Sequence, residues 1–191
     1  ANITGTFNIL ECAKVFKIKH LLIASTSSVY GSNISQPFDE LQKCDNQISF
    51  YAATKKAIEN FSHSYSHIYK IPTTLFRFFT VYGPWGRPDM ALFKFTKAIL
   101  SDQPIDVFNH GKMSRDFTYI NDLVNAINLL IDAVPKPPSK RENLIKFDSI
   151  SNVAAWRVVN IGNSESINLM DYIRAIETVT GKKAKMNFLE M

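Results

Sequence analysis

The sequence predicts an α/β fold built on a parallel sheet with helices on both faces. Segments with helical periodicity alternate with short apolar runs from one end of the 191-residue chain to the other. The first apolar run, residues 18–26, is nearly unbroken and rich in branched side chains, which is typical of a strand buried on both faces of a parallel sheet. Hydrophobic residues make up 46% of the chain and charged residues 20%, the composition of a globular domain.

Five segments carry the apolar spacing of amphipathic helices. They are residues 3–16, 50–69, 89–100, 121–134 and 168–181. The longest has an apolar stripe that we expect to face the core, formed by Ala57, Phe61, Tyr65 and Ile68. Asn121 or Asp122 is placed to cap the fourth helix, and Gly181 is placed to close the fifth.

Five apolar runs are predicted to be strands. They are residues 18–26, 71–79, 105–108, 115–120 and 156–162. Residues 135–155 are polar and rich in proline, so we expect a surface excursion without chemistry. No GxxGxxG turn, which would hold the pyrophosphate of a dinucleotide, follows any of these strands.

The composition disfavours several classes of protein. No run of about 18 apolar residues is present, so we expect no membrane segment. The net charge is +5, but no basic run has interleaved aromatic residues, which disfavours a nucleic-acid partner. Cys12 and Cys44 are isolated, which predicts free thiols and a cytoplasmic protein. His63 and His67 share a helical face without a third ligand, so we expect exposed side chains and no metal.

A cluster of hydroxyl groups falls where parallel sheets bind ligands, at the carboxyl end of a strand. The sequence ASTSSVYG follows the first predicted strand and places Thr26, Ser27 and Ser28 there. Serine and threonine also terminate strands without any further role. The cluster is therefore a candidate site that needs a second, independent group of residues beside it.

Tyr51 and Lys55 supply that second group. They stand four residues apart on the second predicted helix, so their side chains share one face. A phenol is a weak base at neutral pH, and a neighbouring ammonium strengthens it by favouring the tyrosinate. Joined to the hydroxyl cluster, the pair predicts a site that removes a proton from an alcohol while a hydride leaves the same carbon.

Four stretches of the sequence carry a family resemblance. They are STSSVYG at 25–31, YAATKKA at 51–57, LFRFFTVYGPWGRPDMA at 75–91 and GKMSRDFTYINDL at 111–123. These stretches resemble the extended short-chain dehydrogenase/reductase family, and within it the nucleotide-sugar epimerases. The resemblance implies that residues 1–83 are the second part of an NAD-binding Rossmann domain. Residues 84–191 would then be mostly a UDP-sugar binding region with returning Rossmann elements.

The resemblance also implies roles on the cofactor side of the site. Tyr51 matches the catalytic acid/base, and Lys55 matches the residue that assists it and binds the nicotinamide ribose. Thr26 matches the catalytic Ser or Thr, which shares the moving proton, and Asn2 matches an asparagine on the helix beneath the cofactor. The implied reaction inverts C4 of a UDP-sugar through a 4-keto intermediate. The family's Gly-rich NAD loop would precede Ala1, so we expect this chain by itself to be inactive.

The implied substrate is a UDP-hexuronic acid. Ser27 and Ser28 stand where related dehydratases and decarboxylases carry acidic residues, and Thr80 stands where galactose-type epimerases usually carry asparagine. Neutral hydroxyls can donate hydrogen bonds to a carboxylate that acidic residues would repel. The other residues that the resemblance assigns to the substrate are Arg87 over the sugar, Val107 and Phe108 at the uracil ring, and Arg115 at the diphosphate.

Several alternatives stay open at this point. The full-length protein could instead be a UDP-glucose/galactose 4-epimerase. This chain could also be a noncatalytic remnant of the family, which folds or binds a partner without NAD. Val107 and Phe108 are equally explained by core packing. For Arg115 the alternative is a surface ion pair, and for Arg87 it is a purely structural role. Family members commonly dimerise through helices that match residues 3–16 and 50–69, so the resemblance implies a homodimer of the full-length protein.

Overall fold

The computed structural model describes residues 1–136 and 148–190, and it confirms the α/β class. Those residues form five α-helices and eight strands. The helices are α1 (Asn2–Phe16), α2 (Phe50–Tyr69), α3 (Ala91–Leu100), α4 (Ile120–Asp132) and α5 (Leu169–Thr180). The strands are β1 (Leu21–Ala24), β2 (Thr73–Phe78), β3 (Thr80–Tyr82), β4 (Pro104–Phe108), β5 (Ser114–Tyr119), β6 (Trp156–Ile161), β7 (Ser166–Asn168) and β8 (Lys185–Leu189). Each predicted helix and strand overlaps one of these elements.

The chain divides into two compact units. The first unit comprises Ala1–Phe79 and Val124–Ile161, and the second comprises Thr80–Leu123 and Gly162–Met191. The expected change from a cofactor region to a substrate region at residue 83 concerns function, and it stays a prediction.

The first unit is built on a parallel sheet in the order β1-β2-β6. Leu21 lies opposite Thr73, and Thr73 lies opposite Trp156, so the three strands run side by side in register. Helices α1 and α2 cover this sheet through a core made of Leu10, Ala13, Leu21, Ile23, Ile58, Ile71, Leu75 and Val158. The carboxyl ends of β1 and β2 meet at one edge, which is where a parallel sheet binds ligands.

The second unit pairs its strands in two small sheets. Strand β4 pairs with β8 in parallel, and β5 pairs in parallel with β3 and antiparallel with β7. The three strands β3, β7 and β8 were not predicted from the sequence. The core of this unit includes Ile105, Val107 and Ile173, with α5 packed against β4.

The predicted buried stripe of α2 is wrong for two of its four residues, although the predicted bounds of the helix are confirmed. Tyr65 packs against the core and Ala57 is half-buried. Phe61 is 38% exposed and Ile68 is 62% exposed, whereas Glu59 and Ser62 are almost completely buried. The reason is that the buried polar groups have partners: Ser62 Oγ, for example, accepts a hydrogen bond from Trp156 Nε1 at 2.9 Å. A paired polar group can be buried without the large desolvation cost of an unpaired one.

The predicted helix ends are partly right. Helix α4 begins at Ile120, so Asn121 and Asp122 lie inside its first turn and neither is its cap. Gly181 closes α5 with a φ of 67 degrees, as predicted, because glycine enters the left-handed region without steric cost.

The proline-rich stretch 135–155 can be compared with the structure only at its two ends, because residues 137–147 lie outside the described residues. Pro135, Ala154 and Ala155 are buried there, whereas Lys136, Asn152 and Val153 are exposed. The surface excursion therefore stays a prediction.

Two expectations from the composition can also be compared with the structure. Cys12 is exposed and Cys44 is buried, and both are free thiols as predicted. Among the described helices, none has the combined length and apolar character that crossing a membrane requires.

Candidate active site

The carboxyl end of β1 leads into a short 3-10 helix, Ser27–Tyr30, which carries the predicted hydroxyl cluster. Thr26 caps this helix, because its Oγ1 accepts a hydrogen bond from the N–H of Ser28 at 3.2 Å. The hydroxyl of Thr26 donates to Ser28 Oγ, also at 3.2 Å. Thr26 is buried, Ser27 is half-buried and Ser28 is exposed. The three hydroxyls therefore sit at one strand end with Thr26 fixed in direction.

Gly31 explains the end of the STSSVYG motif. Its φ is +55 degrees, and a Cβ at this position would lie 2.1 Å from the backbone oxygen of Asn46. Only glycine suits both the left-handed backbone and this close approach. The N–H of Ser32 donates to the same Asn46 oxygen at 3.1 Å. The segment that leads into α2 is thereby held against the hydroxyl cluster.

Tyr51 and Lys55 lie on the first two turns of α2. Ser49 caps this helix by accepting a hydrogen bond from the N–H of Ala52 at 3.1 Å. Lys55 Nζ lies 6.0 Å from the centroid of the Tyr51 ring. The same Nζ donates to the carbonyl oxygen of Ala24, the last residue of β1, at 3.0 Å. Helix α2 thus brings its tyrosine and lysine to the strand end that carries Thr26, Ser27 and Ser28.

The surroundings of the pair suit a proton transfer. Burial lowers the pKa of Lys55 from its ordinary value, because loss of water disfavours the charged ammonium. Tyr51 is 50% exposed, which leaves its phenol open to a substrate. An ammonium beside a phenol stabilises the tyrosinate, so the arrangement can take a proton from an alcohol and later return it.

Asn2 is attached to the same helix. Its Nδ2 donates to Thr54 Oγ1 at 3.0 Å, and the Thr54 hydroxyl donates to the carbonyl oxygen of Tyr51 at 2.8 Å. Through these contacts the start of α1 is fixed beside the turn that holds Lys55. The structure therefore brings together the predicted residues of the first unit, which are Asn2, Thr26, Ser27, Ser28, Tyr51 and Lys55.

A buried ionic network that the sequence analysis missed lies beside these residues. Arg77 of β2 donates from Nε and Nη2 to the two carboxylate oxygens of Glu59, at 3.0 and 2.9 Å. The hydroxyl of Ser25 donates to Glu59 Oε1 at 2.6 Å. The exposed fractions are 1% for Glu59, 2% for Ser25 and 3% for Arg77. One signal was present: an arginine inside the apolar run LFRFF is buried only if a partner neutralises it.

The two buried charges hold each other in the ionised state. Burial acts to raise the pKa of Glu59, but the hydrogen bonds and charge of Arg77 outweigh burial and lower that pKa. Burial also acts to lower the pKa of Arg77, and Glu59 raises it. Lys56 Nζ, on the half-exposed side of α2, lies 3.3 Å from Glu59 Oε2 and adds a second cation.

Three predicted substrate residues lie in the second unit on or near β3 and β5. Thr80 begins β3, opposite Phe117 of β5. Arg87 forms an exposed two-point ion pair with Asp89, with Nε at 3.0 Å and Nη2 at 2.5 Å from the carboxylate oxygens. Arg115 is exposed on β5. Arg87 and Asp89 thus form an ion pair within a single loop.

Val107 and Phe108 end the strand β4 with opposite environments. Val107 is completely buried and packs with Ile105 and Ile173, whereas Phe108 is 50% exposed. From the sequence, core packing explained both residues equally well. In the structure this explanation holds for Val107 and not for Phe108. The exposed ring of Phe108 is the one that can contact a ligand directly.

His63 and His67 both form hydrogen bonds to other residues of the chain. His63 Nε2 is hydrogen-bonded to Ser151 Oγ at 2.8 Å, and His67 Nδ1 to the carbonyl oxygen of Val153 at 2.9 Å. His63 is half-buried and its pKa is lowered, chiefly by burial, so the expectation of an exposed side chain is wrong for His63; it is confirmed for His67, which is exposed. Within residues 1–136 and 148–190, no cluster of His, Cys, Asp and Glu could hold a metal ion.

The fold and the site together define a class of protein: an α/β protein with a parallel sheet, in which one helix brings a tyrosine and a lysine to the end of a strand. Residues 1–144 match the NAD dependent epimerase/dehydratase family. The match covers most of the chain. The chain belongs to the NAD dependent epimerase/dehydratase family.

Individual relatives agree with this assignment. Over its whole length the chain is 50% identical to a probable UDP-glucuronate 4-epimerase of Rhizobium meliloti (strain 1021), of which it covers 56%. It is 44% identical to UDP-glucuronate 4-epimerase 4 of Arabidopsis thaliana, covering all of this chain and 43% of that protein. A crystal structure of UDP-glucuronic acid 4-epimerase from Bacillus cereus, in complex with UDP-glucuronic acid and NAD, matches with a TM-score of 0.81 and 34% identity. That match covers 99% of this chain and 54% of the other, so the chain spans about half the length of its relatives.

Proposed function

We propose that the full-length protein is an NAD-dependent UDP-glucuronate 4-epimerase, which interconverts UDP-glucuronate and UDP-galacturonate. The observation that carries this proposal is the position of Tyr51 and Lys55 on α2, with Lys55 Nζ bound to Ala24 O two residues before Thr26. The identity of 50% with a probable enzyme of this activity supports the same substrate.

The residues at the end of β1 fit the nicotinamide half of NAD. Lys55 has three donors, and the structure places one of them on Ala24, which leaves donors for the hydroxyls of a ribose. Asn2 lies beside the same turn of α2 and would line the cofactor from α1. When bound, NAD supplies a reversible hydride acceptor for C4 of the sugar.

The chain's own residues move and hold the proton. Tyr51, as tyrosinate, takes the proton of the sugar 4-hydroxyl, and C4 becomes a ketone as its hydride leaves. Lys55 stabilises the negative phenolate before that transfer, and the Thr26 hydroxyl shares the moving proton through a hydrogen bond. After the keto sugar has rotated in the site, C4 would regain a hydride on its opposite face while Tyr51 returns the proton to the oxygen on C4, so neither a hydride nor a proton is gained or lost in the cycle.

The substrate is held by neutral donors and by arginines. In the first unit, Ser27 and Ser28 donate hydrogen bonds to the uronic acid carboxylate. In the second unit, Thr80 is a further neutral donor to the substrate. Their lack of charge avoids the repulsion that an acidic side chain would cause. Arg115 binds the diphosphate, for which a guanidinium has matching geometry. The remaining contacts are Arg87 over the sugar and Phe108, supported by the buried Val107, at the uracil ring.

The domain roles and the location of the protein follow from the same proposal. Residues 1–83 complete the NAD-binding domain, and residues 84–191 are mostly the UDP-sugar region. We infer that the 191-residue chain by itself is inactive, because none of its strands is followed by a GxxGxxG turn. The free thiols Cys12 and Cys44 support a cytoplasmic location, where thiols stay reduced.

The experiment that tests the substrate compares wild type with a Ser28→Glu variant of the full-length protein. The wild type should convert UDP-glucuronate to UDP-galacturonate, and anion-exchange separation of the two nucleotide sugars measures the conversion. Its kcat/KM for UDP-glucuronate should be at least about tenfold above that for UDP-glucose. Ser28→Glu places a carboxylate beside the uronate, so we expect about a hundredfold loss of kcat/KM for UDP-glucuronate and a smaller loss for UDP-glucose.

The matched control is Ser32→Glu, which adds the same charge at an exposed position just beyond the 3-10 helix. This variant should keep the wild-type preference. Faster conversion of UDP-glucose by the wild type would favour the UDP-glucose/galactose epimerase. A wild-type protein that converts neither sugar would favour the noncatalytic remnant.

We also propose that the full-length protein is a homodimer that buries the outer faces of α1 and α2. Apolar residues remain exposed on both helices, including Ile3, Phe7, Phe61 and Ile68. The Phe7 ring contacts the Tyr65 ring edge-on, with 6.4 Å between centroids, so the two exposed rows join across the helices. A joined apolar surface on neighbouring helices is suited to a second copy of the same surface.

Replacing Phe7 by glutamate should convert the dimer to a monomer, because it places a charge in the centre of this surface. Sedimentation velocity of the full-length protein at micromolar concentration measures the change. Val179→Glu is the control, since Val179 is 88% exposed on α5, a helix of the second unit. A Phe7→Glu protein that still sediments as a dimer would show that another surface forms the interface.

A further inference from the structure

Two successive turns of α2 are bound to two successive residues at the carboxyl end of β1, Ala24 and Ser25. Lys55 Nζ contacts the carbonyl oxygen of Ala24 at 3.0 Å, and Glu59 Oε1 accepts from the hydroxyl of Ser25 at 2.6 Å. Lys55 and Glu59 stand four residues apart, so they lie on the same face of the helix. Thr26 is the next residue along the chain and thus has its position set by this double attachment.

Glu59 is itself held by the neighbouring strand. Arg77 of β2 binds both of its carboxylate oxygens, a two-point contact that fixes the plane of the carboxylate. The N–H of Ser25 donates to the carbonyl oxygen of Phe76, the residue before Arg77, at 2.8 Å. The ends of β1 and β2 are therefore joined to each other through the backbone and to α2 through one carboxylate.

The same arginine reaches the far end of the 3-10 helix. The guanidinium carbon of Arg77 lies 4.8 Å from the centroid of the Tyr30 ring, at a cation–π distance. The Tyr30 hydroxyl donates to Asn160 Oδ1 at 2.7 Å, and its ring stacks on Phe38 with 4.4 Å between centroids. The helix that carries Ser27 and Ser28 is thus held at both of its ends.

Glu59, Ser25 and Arg77 are almost completely buried, and this decides what the network can do. A buried ion pair gives little net stability compared with well-packed apolar residues, because both charges lose their water. Its hydrogen bonds are nonetheless strong and directional in a region of low dielectric. We propose that Glu59 is a positioning residue, which acts through the Ser25 hydroxyl to hold Thr26 at its distance from Tyr51 and Lys55. This proposal rests on the proposed function of the site.

The role predicts a particular kinetic effect. Thr26 has to lie within hydrogen-bond reach of the proton that Tyr51 moves, and a shift of about 1 Å in such a group can cost about a hundredfold in rate. Binding of the nucleotide does not depend on that distance. Loss of the attachment should therefore lower kcat and leave KM nearly unchanged.

Ser25→Ala in the full-length protein is the test, because it removes the attachment and keeps the ion pair. We expect kcat for UDP-glucuronate to fall about tenfold, with KM within about twofold of wild type. Ser62→Ala is the matched control: it deletes another buried hydroxyl of the first unit, one that links α2 to Trp156 of β6 instead of to the end of β1. This control should keep wild-type kcat.

Hydrogen exchange supplies a readout that does not depend on activity. The N–H groups of Ser28 and Val29 bond to Oγ1 and O of Thr26, so they report on this turn. Their exchange should be about tenfold faster in Ser25→Ala and unchanged in Ser62→Ala. Equal kcat and equal exchange in the two variants would overturn the positioning role. If the wild type had no epimerase activity and Ser25→Ala still exchanged faster than the wild type, the proposed function would be overturned. The attachment of Ser25 to Glu59 would then still be supported.

Discussion

The Tyr51→Phe variant of the full-length protein is expected to lose about a thousandfold or more in kcat for UDP-glucuronate. Removing a well-placed acid/base typically costs between about a hundredfold and ten-thousandfold in rate. KM should change little, because the ring remains and only its oxygen is lost. The measurement is the conversion of UDP-glucuronate to UDP-galacturonate at saturating substrate.

The control for this variant is Tyr69→Phe, at the other end of α2. Tyr69 is 44% exposed and Tyr51 is 50% exposed, so both substitutions remove one hydroxyl from a partly exposed ring. Tyr69→Phe should keep its activity, and both variants should unfold at the wild-type temperature. If Tyr51→Phe retained more than about a tenth of the wild-type kcat, Tyr51 would not be the base and the proposed mechanism would be wrong.

The part of the site that lies in the first unit could be predicted because it depends on local rules. The i, i+4 spacing of Tyr51 and Lys55 places them on one helix face in any helix. The rule that ligands meet the carboxyl ends of parallel strands then points to the hydroxyls after β1. The structure joins the two predictions through a single contact, from Lys55 Nζ to Ala24 O.

The buried face of α2 could not be predicted by the same means. Apolar periodicity points to Phe61 and Ile68, yet the helix buries Glu59 and Ser62. Whether a polar side chain can be buried depends on a partner elsewhere in the chain, here Arg77 for Glu59. Sequence spacing carries no record of such a pairing.

The shortest strands, β3 and β7, could not be predicted for a different reason. Strands β3 and β7 have three residues each, which is too short for an alternation of apolar and polar positions to be visible. They exist because β5 offers a partner on each side, parallel to β3 and antiparallel to β7. Pairing with a distant strand thus decides where the chain is extended, whereas the local pattern of apolar residues predicts only a loop.

The second large effect is expected for the Glu59→Met variant, which should lose about 3 to 5 kcal/mol of unfolding free energy in the full-length protein. Arg77 is only 3% exposed, and an arginine cannot lose its charge at any ordinary pH. Without the carboxylate its charge is left buried and uncompensated. Urea denaturation at pH 7 measures the loss.

Arg77→Met should lower the free energy of unfolding by less than Glu59→Met does, because the buried charge of Glu59 can be neutralised in two other ways. Lys56 Nζ lies 3.3 Å away and can still neutralise the carboxylate, and a buried glutamate can also take up a proton. The double variant Glu59→Met/Arg77→Met should lose less than Glu59→Met alone, since it leaves no buried charge. Losses that simply add in the double variant would show that the two side chains are not coupled.

The pH dependence separates the two single variants. Arg77 lowers the pKa of Glu59 in the folded protein, so the pair's stabilisation is complete above the pKa of an unfolded glutamate, about 4.3, and is lost as the pH falls below it. In Arg77→Met the largest remaining influence on Glu59 is burial, which raises its pKa. The loss measured for Arg77→Met should therefore shrink between pH 7 and pH 5, as Glu59 becomes neutral. The loss for Glu59→Met should stay constant over that range, because the charge left behind belongs to an arginine.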